Sequence, residues 1–171
     1  MTRGNIFVRR QSGIYIADWD EGARRCAVGR AGIGVKTREG DGLTPVGQWK
    51  LRWVLYRADR LRAPRSALPV SAIAPDDGWC DAPNDPAYNC PVKLPYDASA
   101  ESLWREDSLY DVVLVVGYND DPVIPGKGSA IFLHVAKEDF APTEGCVAFA
   151  RDDLLEALTQ ISADSYLTVE P

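Results

Sequence analysis

Seven of the chain's twelve prolines fall between Ala58 and Asp107: Pro64, Pro69, Pro75, Pro83, Pro86, Pro91 and Pro95. Proline has no amide proton to give to a helix or sheet ladder, and its ring clashes with the preceding helical turn. This stretch can therefore hold neither a long helix nor a central strand. It reads as a long, loop-rich insertion at 58–107, and loops of that length are commonly functional. The regular structure must lie on either side of it.

Before the insertion, "NIFVRR", "GIYIAD" and "RCAVGR" are short β-rich segments broken by Gly and Asp, which predict a meander. "QWKLRWVLY" follows, with Trp49, Leu51 and Trp53 alternating against polar partners. After the insertion, "YDVVLVVGYN" and "SAIFLHVA" lack that alternation and read as central strands covered on both faces. Asp152 and Asp153 favour a helix N-terminus, and Leu154, Leu155, Leu158 and Ile161 form an apolar stripe at helical spacing. "SYLTVE" is then a last strand. The expected class is mainly β with one clear C-terminal helix. With 171 residues the chain supports one ordinary core, so a single domain over residues 1–171 is expected.

Charge and composition exclude several functions. The apolar share of 46% and charged share of 26% belong to a globular protein. A net charge of -6 offers no cationic field for phosphates, so nucleic acid is not an expected partner. The longest strongly apolar run, "VVLVV", is far short of the ~20 residues of a membrane helix, so no membrane span is expected. The opening "MTRGNIFVRRQSG" lacks the apolar region of a secretory signal. Four cysteines are too few for a disulfide framework, although Cys80 and Cys90 are the best-spaced pair for one bridge in an oxidising compartment. Trp49, Trp53, Trp79 and Trp104 suit packing better than a sugar platform. The pairs Asp76 and Asp77, and Asp120 and Asp121, read as solvated loop carboxylates.

The only histidine, His134, ends "AIFLH", and Cys146 opens "CVAFA" twelve positions later. An antiparallel, hairpin-like pairing of these segments would set the two side chains face to face. A thiol beside an imidazole can be deprotonated to a nucleophile for acyl transfer, and the imidazole can then carry the proton to a leaving amine. Gly145 permits close backbone approach and positive φ, and the Cys146 amide can donate to an oxyanion. On spacing alone the commoner reading is a small buried cysteine and a structural histidine. A zinc site on His134 and three cysteines would need paired ligands at short spacing, which the chain lacks.

"GDGLTPVGQWKL" at 40–51, followed in order by "IFLHVA" and "TEGCVAF", resembles the YkuD-type L,D-transpeptidase family. The resemblance runs from about Ile14 to Ala150 and implies a β-sandwich-like catalytic domain. It implies a nucleophile at Cys146, a base at His134, a backbone role at Gly145 and a small hydroxyl at Thr143. It also implies peptidoglycan stem peptides as substrates, cleavage between a diamino acid and D-alanine, transfer to an amine, and no cofactor or metal. The substrate class points to the periplasm or cell wall. Glu144 stands where most members have histidine and Ala148 where many have arginine or asparagine, and His134 is closer to Cys146 than usual. These departures leave room for another donor, including cross-links through the first stem residue, and for a substrate-binding role at Glu144. Two other readings follow the same residues: a carboxypeptidase or endopeptidase with water as acceptor, and a non-catalytic peptidoglycan-binding domain.

Overall fold

In a computed structural model of the chain, β1 (Ile6–Gln11), β2 (Ile14–Trp19) and β3 (Gly22–Ala27) form the meander their sequence predicts, each antiparallel to the next. The structure describes residues 4–20 and 22–171; residues 1–3, which open the segment read for a signal, and residue 21 lie outside it. Two-residue strands β4 (Ile33–Gly34) and β5 (Thr44–Pro45) pair parallel, and β6 (Gly47–Tyr56) follows at once.

The proline-rich insertion is not loop alone. Its strand β7 (Val70–Ala72) adds to the edge of β6, while β8 (Asp77–Cys80), β9 (Pro91–Lys93) and β10 (Ala100–Ser102) form a separate sheet in the order β10-β8-β9. The missing amide proton explains the placement: Pro91 opens an edge strand, and the central strand β8 contains no proline. The buried Arg57 guanidinium lies 3.6 Å from the Trp104 ring centre and donates to Arg105 O, tying the end of the insertion to its beginning.

The chain continues with β11 (Val112–Val116), β12 (Phe132–Val135), β13 (Val147–Phe149), α1 (Arg151–Gln160) and β14 (Tyr166–Val169). The main sheet runs β11-β12-β13-β3-β2-β1-β14-β6-β7, and β11 also pairs with β6. That second pairing folds the sheet back on itself. Gly47–Lys50 of β6 face β14, and Leu51–Tyr56 face β11, so one long strand serves both halves of a sandwich-like, closed sheet.

Side-chain alternation divides the core in two. Val112, Leu114 and Val116 join Leu133, Val135, Val147 and Phe149 in an inner core, which Leu154, Ala157 and Leu158 of α1 complete. Val113 and Val115 point the other way and pack with Phe132, Cys146, Tyr110, Trp79 and Leu103 beneath the small sheet. Both faces of β11 and β12 are thus covered, which is why their sequences do not alternate. Asp152 and Asp153 lie in the first turn of α1, as expected, and Ile161 is buried just beyond its last turn.

The expected antiparallel pairing of β12 and β13 is corrected: they run parallel, in the register Leu133↔Val147, His134↔Ala148 and Val135↔Phe149. A parallel pair needs a crossover of about a dozen residues rather than a tight hairpin. The connection between His134 and Cys146 is long enough to carry the chain back.

The tryptophans pack: Trp79 meets Phe132 edge-on at 5.0 Å and Trp49 meets Tyr118 at 4.9 Å. Asp120 is held by a bidentate contact from Arg52, and Asp76 and Asp77 share Lys93, so these carboxylates are engaged rather than loose. All four thiols are free, although the Cys80 amide donates to Cys90 O at 3.0 Å. Among the described residues no helix is long and apolar enough to cross a membrane.

Leu158 is fully buried where α1 meets the inner core. Leu158→Ala should lower unfolding free energy by about 2–5 kcal/mol, the range for truncating a buried leucine, as read by denaturant titration.

Candidate active site

Parallel register brings His134 and Cys146 together by a route different from a hairpin. His134 is paired with Ala148, and Cys146 lies two residues earlier, beside Phe132. Because side chains alternate along each strand, Phe132, His134, Cys146 and Ala148 share one face. His134, Cys146 and Ala148 line a single cavity of about 250 Å³, with Thr143 and Glu144 at the same opening. Gly145 is not part of the lining.

The thiol's hydrogen-bond partners are backbone groups: Sγ donates to Ala130 O at 3.2 Å and accepts from Phe132 N at 3.4 Å. Nδ1 of His134 lies 2.9 Å from Val135 O. A carbonyl can only accept, so Nδ1 carries the proton and Nε2 keeps its lone pair. Tyr110 packs edge-on against the imidazole, with ring centres 5.4 Å apart.

Burial decides the charge state of both groups. It pushes the Cys146 thiol up to about 12, with the negative charge of Glu101 adding to the effect. It pushes the imidazole down to about 4. The resting pair is thus a neutral thiol and a neutral imidazole, not an ion pair. Burial also raises Cys26 to about 12, yet Cys26 belongs to the inner core. Position, not acidity, distinguishes Cys146.

The loop before Cys146 is fixed by two threonines. Thr143 Oγ1 donates to Cys146 O at 2.6 Å and accepts from Gly145 N at 3.1 Å. Its backbone joins the neighbouring segment through Thr143 N to Val28 O and Arg30 N to Thr143 O. The fully buried Thr44 accepts from Gly29 N at 2.8 Å and donates to Gly145 O at 2.9 Å. Gly145 has φ +145°, and a Cβ there would stand 2.9 Å from Leu43 O, so both conformation and space require glycine. Leu43 and Thr44 belong to the "GDGLTPVG" turn, which the sequence offers only as a lead into a strand; here it clamps the Gly-Cys backbone. A buried ion pair holds that turn, with Lys36 Nζ 2.5 Å from Asp41 Oδ1 and 3.2 Å from Leu43 O. Burial opposes the Asp41 charge, but Lys36 and the amides of Thr37 and Leu43 prevail and bring its pKa down to about 2.

Glu144 turns outward. Its carboxylate takes Arg30 Nε at 3.0 Å and its side chain is 80% exposed. The cavity is instead furnished by residues that sequence reasoning missed: Glu101, Arg105, Tyr110 and Lys137. Tyr110 Oη lies 3.2 Å from both carboxylate oxygens of Glu101. Burial raises Glu101 to about 7 against that hydrogen bond, and burial lifts the Tyr110 phenol well above its usual value, so the phenol is the donor. Tyr110 precedes a clear strand and was in principle findable. Glu101 sits in β10, a strand of three residues, too short for a period to mark which way it faces. Among the described residues no three His, Cys, Asp or Glu side chains converge on a metal position.

This arrangement can carry a thiol's attack on an acyl carbon, with Nε2 of the imidazole available for the proton. A family model for the L,D-transpeptidase catalytic domain, YkuD, matches residues 5–168. No curated protein and no solved structure gives a significant match.

Thr44→Val keeps the shape but leaves Gly29 N and Gly145 O unpaired. It should lower stability by about 2–6 kcal/mol in denaturant titration, since each of the two buried groups left unpaired costs roughly 1–3 kcal/mol. The neutral thiol makes a second prediction. Iodoacetamide labelling of Cys146, followed by peptide mass spectrometry, should be slow at neutral pH and rise about tenfold per unit toward alkaline pH. A thiolate–imidazolium pair would instead give a plateau near neutrality.

Proposed function

This chain belongs to the YkuD family of L,D-transpeptidase catalytic domains, and we propose that it works as a cysteine acyltransferase on peptidoglycan stem peptides. The observation that carries the reading is the shared cavity: Cys146 and His134 line one space, brought there by parallel pairing, and His134 Nδ1 is held by Val135 O so that Nε2 keeps its lone pair. Cys146 is the nucleophile and His134 the base.

As Sγ attacks the donor amide, its proton passes to Nε2, so the two charges arise together within the desolvated site. The C–N bond then breaks, the imidazolium returns its proton to the departing amine, and the acyl group remains on Sγ as a thioester. The Cys146 amide is the backbone donor suited to the oxyanion, because the Gly145 amide is already taken by Thr143. An amine acceptor attacks the thioester and forms the cross-link. Such substrates set the place of action in the periplasm or at the cell wall.

Three reagents test this. Purified stem-peptide fragments followed by mass spectrometry should give cross-linked dimers; shortened stems alone would mean water is the acceptor, and no change would mean a silent domain. A carbapenem should add one covalent adduct to the wild type and none to Cys146→Ala. His134→Gln should slow acyl-enzyme formation by roughly 10² to 10⁴, the usual loss for a general acid–base group.

A further inference from the structure

Glu101 is a mostly buried carboxylate in the cavity that holds Cys146, near enough for its charge to act on the thiol. Its only side-chain hydrogen bonds among the described residues come from the Tyr110 hydroxyl. Of the other charged groups lining the cavity, Arg105 and Glu144 are engaged elsewhere, and Lys137 forms no ion pair with Glu101 among the described residues. Arg105 is bound to Asp107 through Nε at 2.8 Å and Nη2 at 2.6 Å, while Glu144 is held by Arg30 at the rim. Among the described residues Glu101 takes part in no ion pair. A desolvated carboxylate without a cation is unfavourable unless something positive joins it.

We infer that Glu101 receives the acceptor: its carboxylate binds the acceptor's primary ammonium and takes one proton from it, presenting the free amine to the acyl group on Cys146. This rests on the acyl-transfer reading of the site. The atoms balance. The ammonium gives its first proton to the Glu101 carboxylate, and the nitrogen lone pair forms the C–N bond as the C–S bond breaks. The second proton travels through His134 to Sγ, restoring the thiol, and Glu101 later releases its proton to solvent. Thioester and ammonium thus become amide, thiol and one proton.

Two features fit a proton acceptor for an ammonium. Tyr110 fixes the carboxylate by both oxygens, and the same ring lies against His134, so the two proton-handling groups are held by one side chain. Burial brings Glu101 to about 7, with Asp81 and Glu39 raising it further and Tyr110 and Arg105 opposing, so it is a stronger base than an exposed carboxylate. Water carries no positive charge for this carboxylate to bind, so the contact favours an ammonium acceptor over water and makes Glu101 a determinant of transfer over hydrolysis.

The test reads partition of one acyl-enzyme, so the rate of its formation cancels. Acyl-Cys146 made from a small thioester is offered ethylamine, cationic near neutral pH, or hydroxylamine, mostly neutral there, and transfer is measured relative to hydrolysis. In Glu101→Gln the ratio for ethylamine should fall roughly tenfold, the scale of one charge-assisted contact, while the ratio for hydroxylamine stays within about twofold. Glu101→Asp should recover part of the loss. In the wild type, low-millimolar guanidinium should suppress transfer to ethylamine, and sodium at equal ionic strength should not, a measurement independent of whether the variants fold. An unchanged ethylamine ratio, equal losses for both amines, or no competition by guanidinium overturns the assignment. A wild type that forms no acyl-enzyme overturns the acyl-transfer reading itself, and Glu101's role falls with it; that failure is distinct because it precedes any partition.

Discussion

Everything at the site depends on one pairing, the parallel register of Phe132–Val135 against Val147–Phe149. A shift of one residue would turn Cys146 into the inner core and expose Val147 to the cavity, since side chains alternate strictly along a strand. The register is held from both directions. On the inner face Leu133, Val135, Val147 and Phe149 are buried against the helix; on the other, Phe132 is gripped edge-on by Trp79 and Tyr110. The position of the thiol is thus fixed by apolar packing that takes no part in the chemistry.

Polar groups then do what packing cannot. The backbone around Gly145 leaves the sheet in a conformation that only glycine accepts readily, and its polar atoms are satisfied by Thr143 and Thr44, from opposite ends of the chain. Because the thiol and imidazole rest uncharged, the fold does not have to sustain an ion pair in a desolvated space. In the proposed acyl transfer, separated charge arises only when a substrate is present to use it. Such a site gives up nucleophile reactivity at rest and gains inertness toward stray electrophiles.

Much of this was legible in the residues. Segment patterning located the meander, the C-terminal helix and the final strand, unbroken β-branched and aromatic runs located the two covered strands, and the rarity of histidine drew attention to the segment that lines the cavity. Direction was not legible. Alternation specifies which face a side chain takes but not whether its neighbour runs parallel, and only the length of the crossover hinted at the answer. The insertion was read through its prolines, which exclude long regular elements but say nothing of four short strands such as Asp77–Cys80. Thr44 escaped because it acts across 101 positions on Gly145, and Glu101 because its strand of three residues is too short to show a period. Local pattern carries no trace of such partnerships.

The closed sheet has a consequence for how the molecule comes to exist. Ile6–Val8 run parallel to Leu167–Val169, and Gly47–Lys50 lie against the same final strand, so the first and last strands are ring neighbours. During synthesis the meander can form early, but the gap beside it stays open until the last strand emerges from the ribosome. Contacts of such long sequence separation make for slow, late-committing folding. Until that strand arrives, the nascent chain presents unpaired edges on both sides of the gap, the circumstance in which a chaperone earns its place.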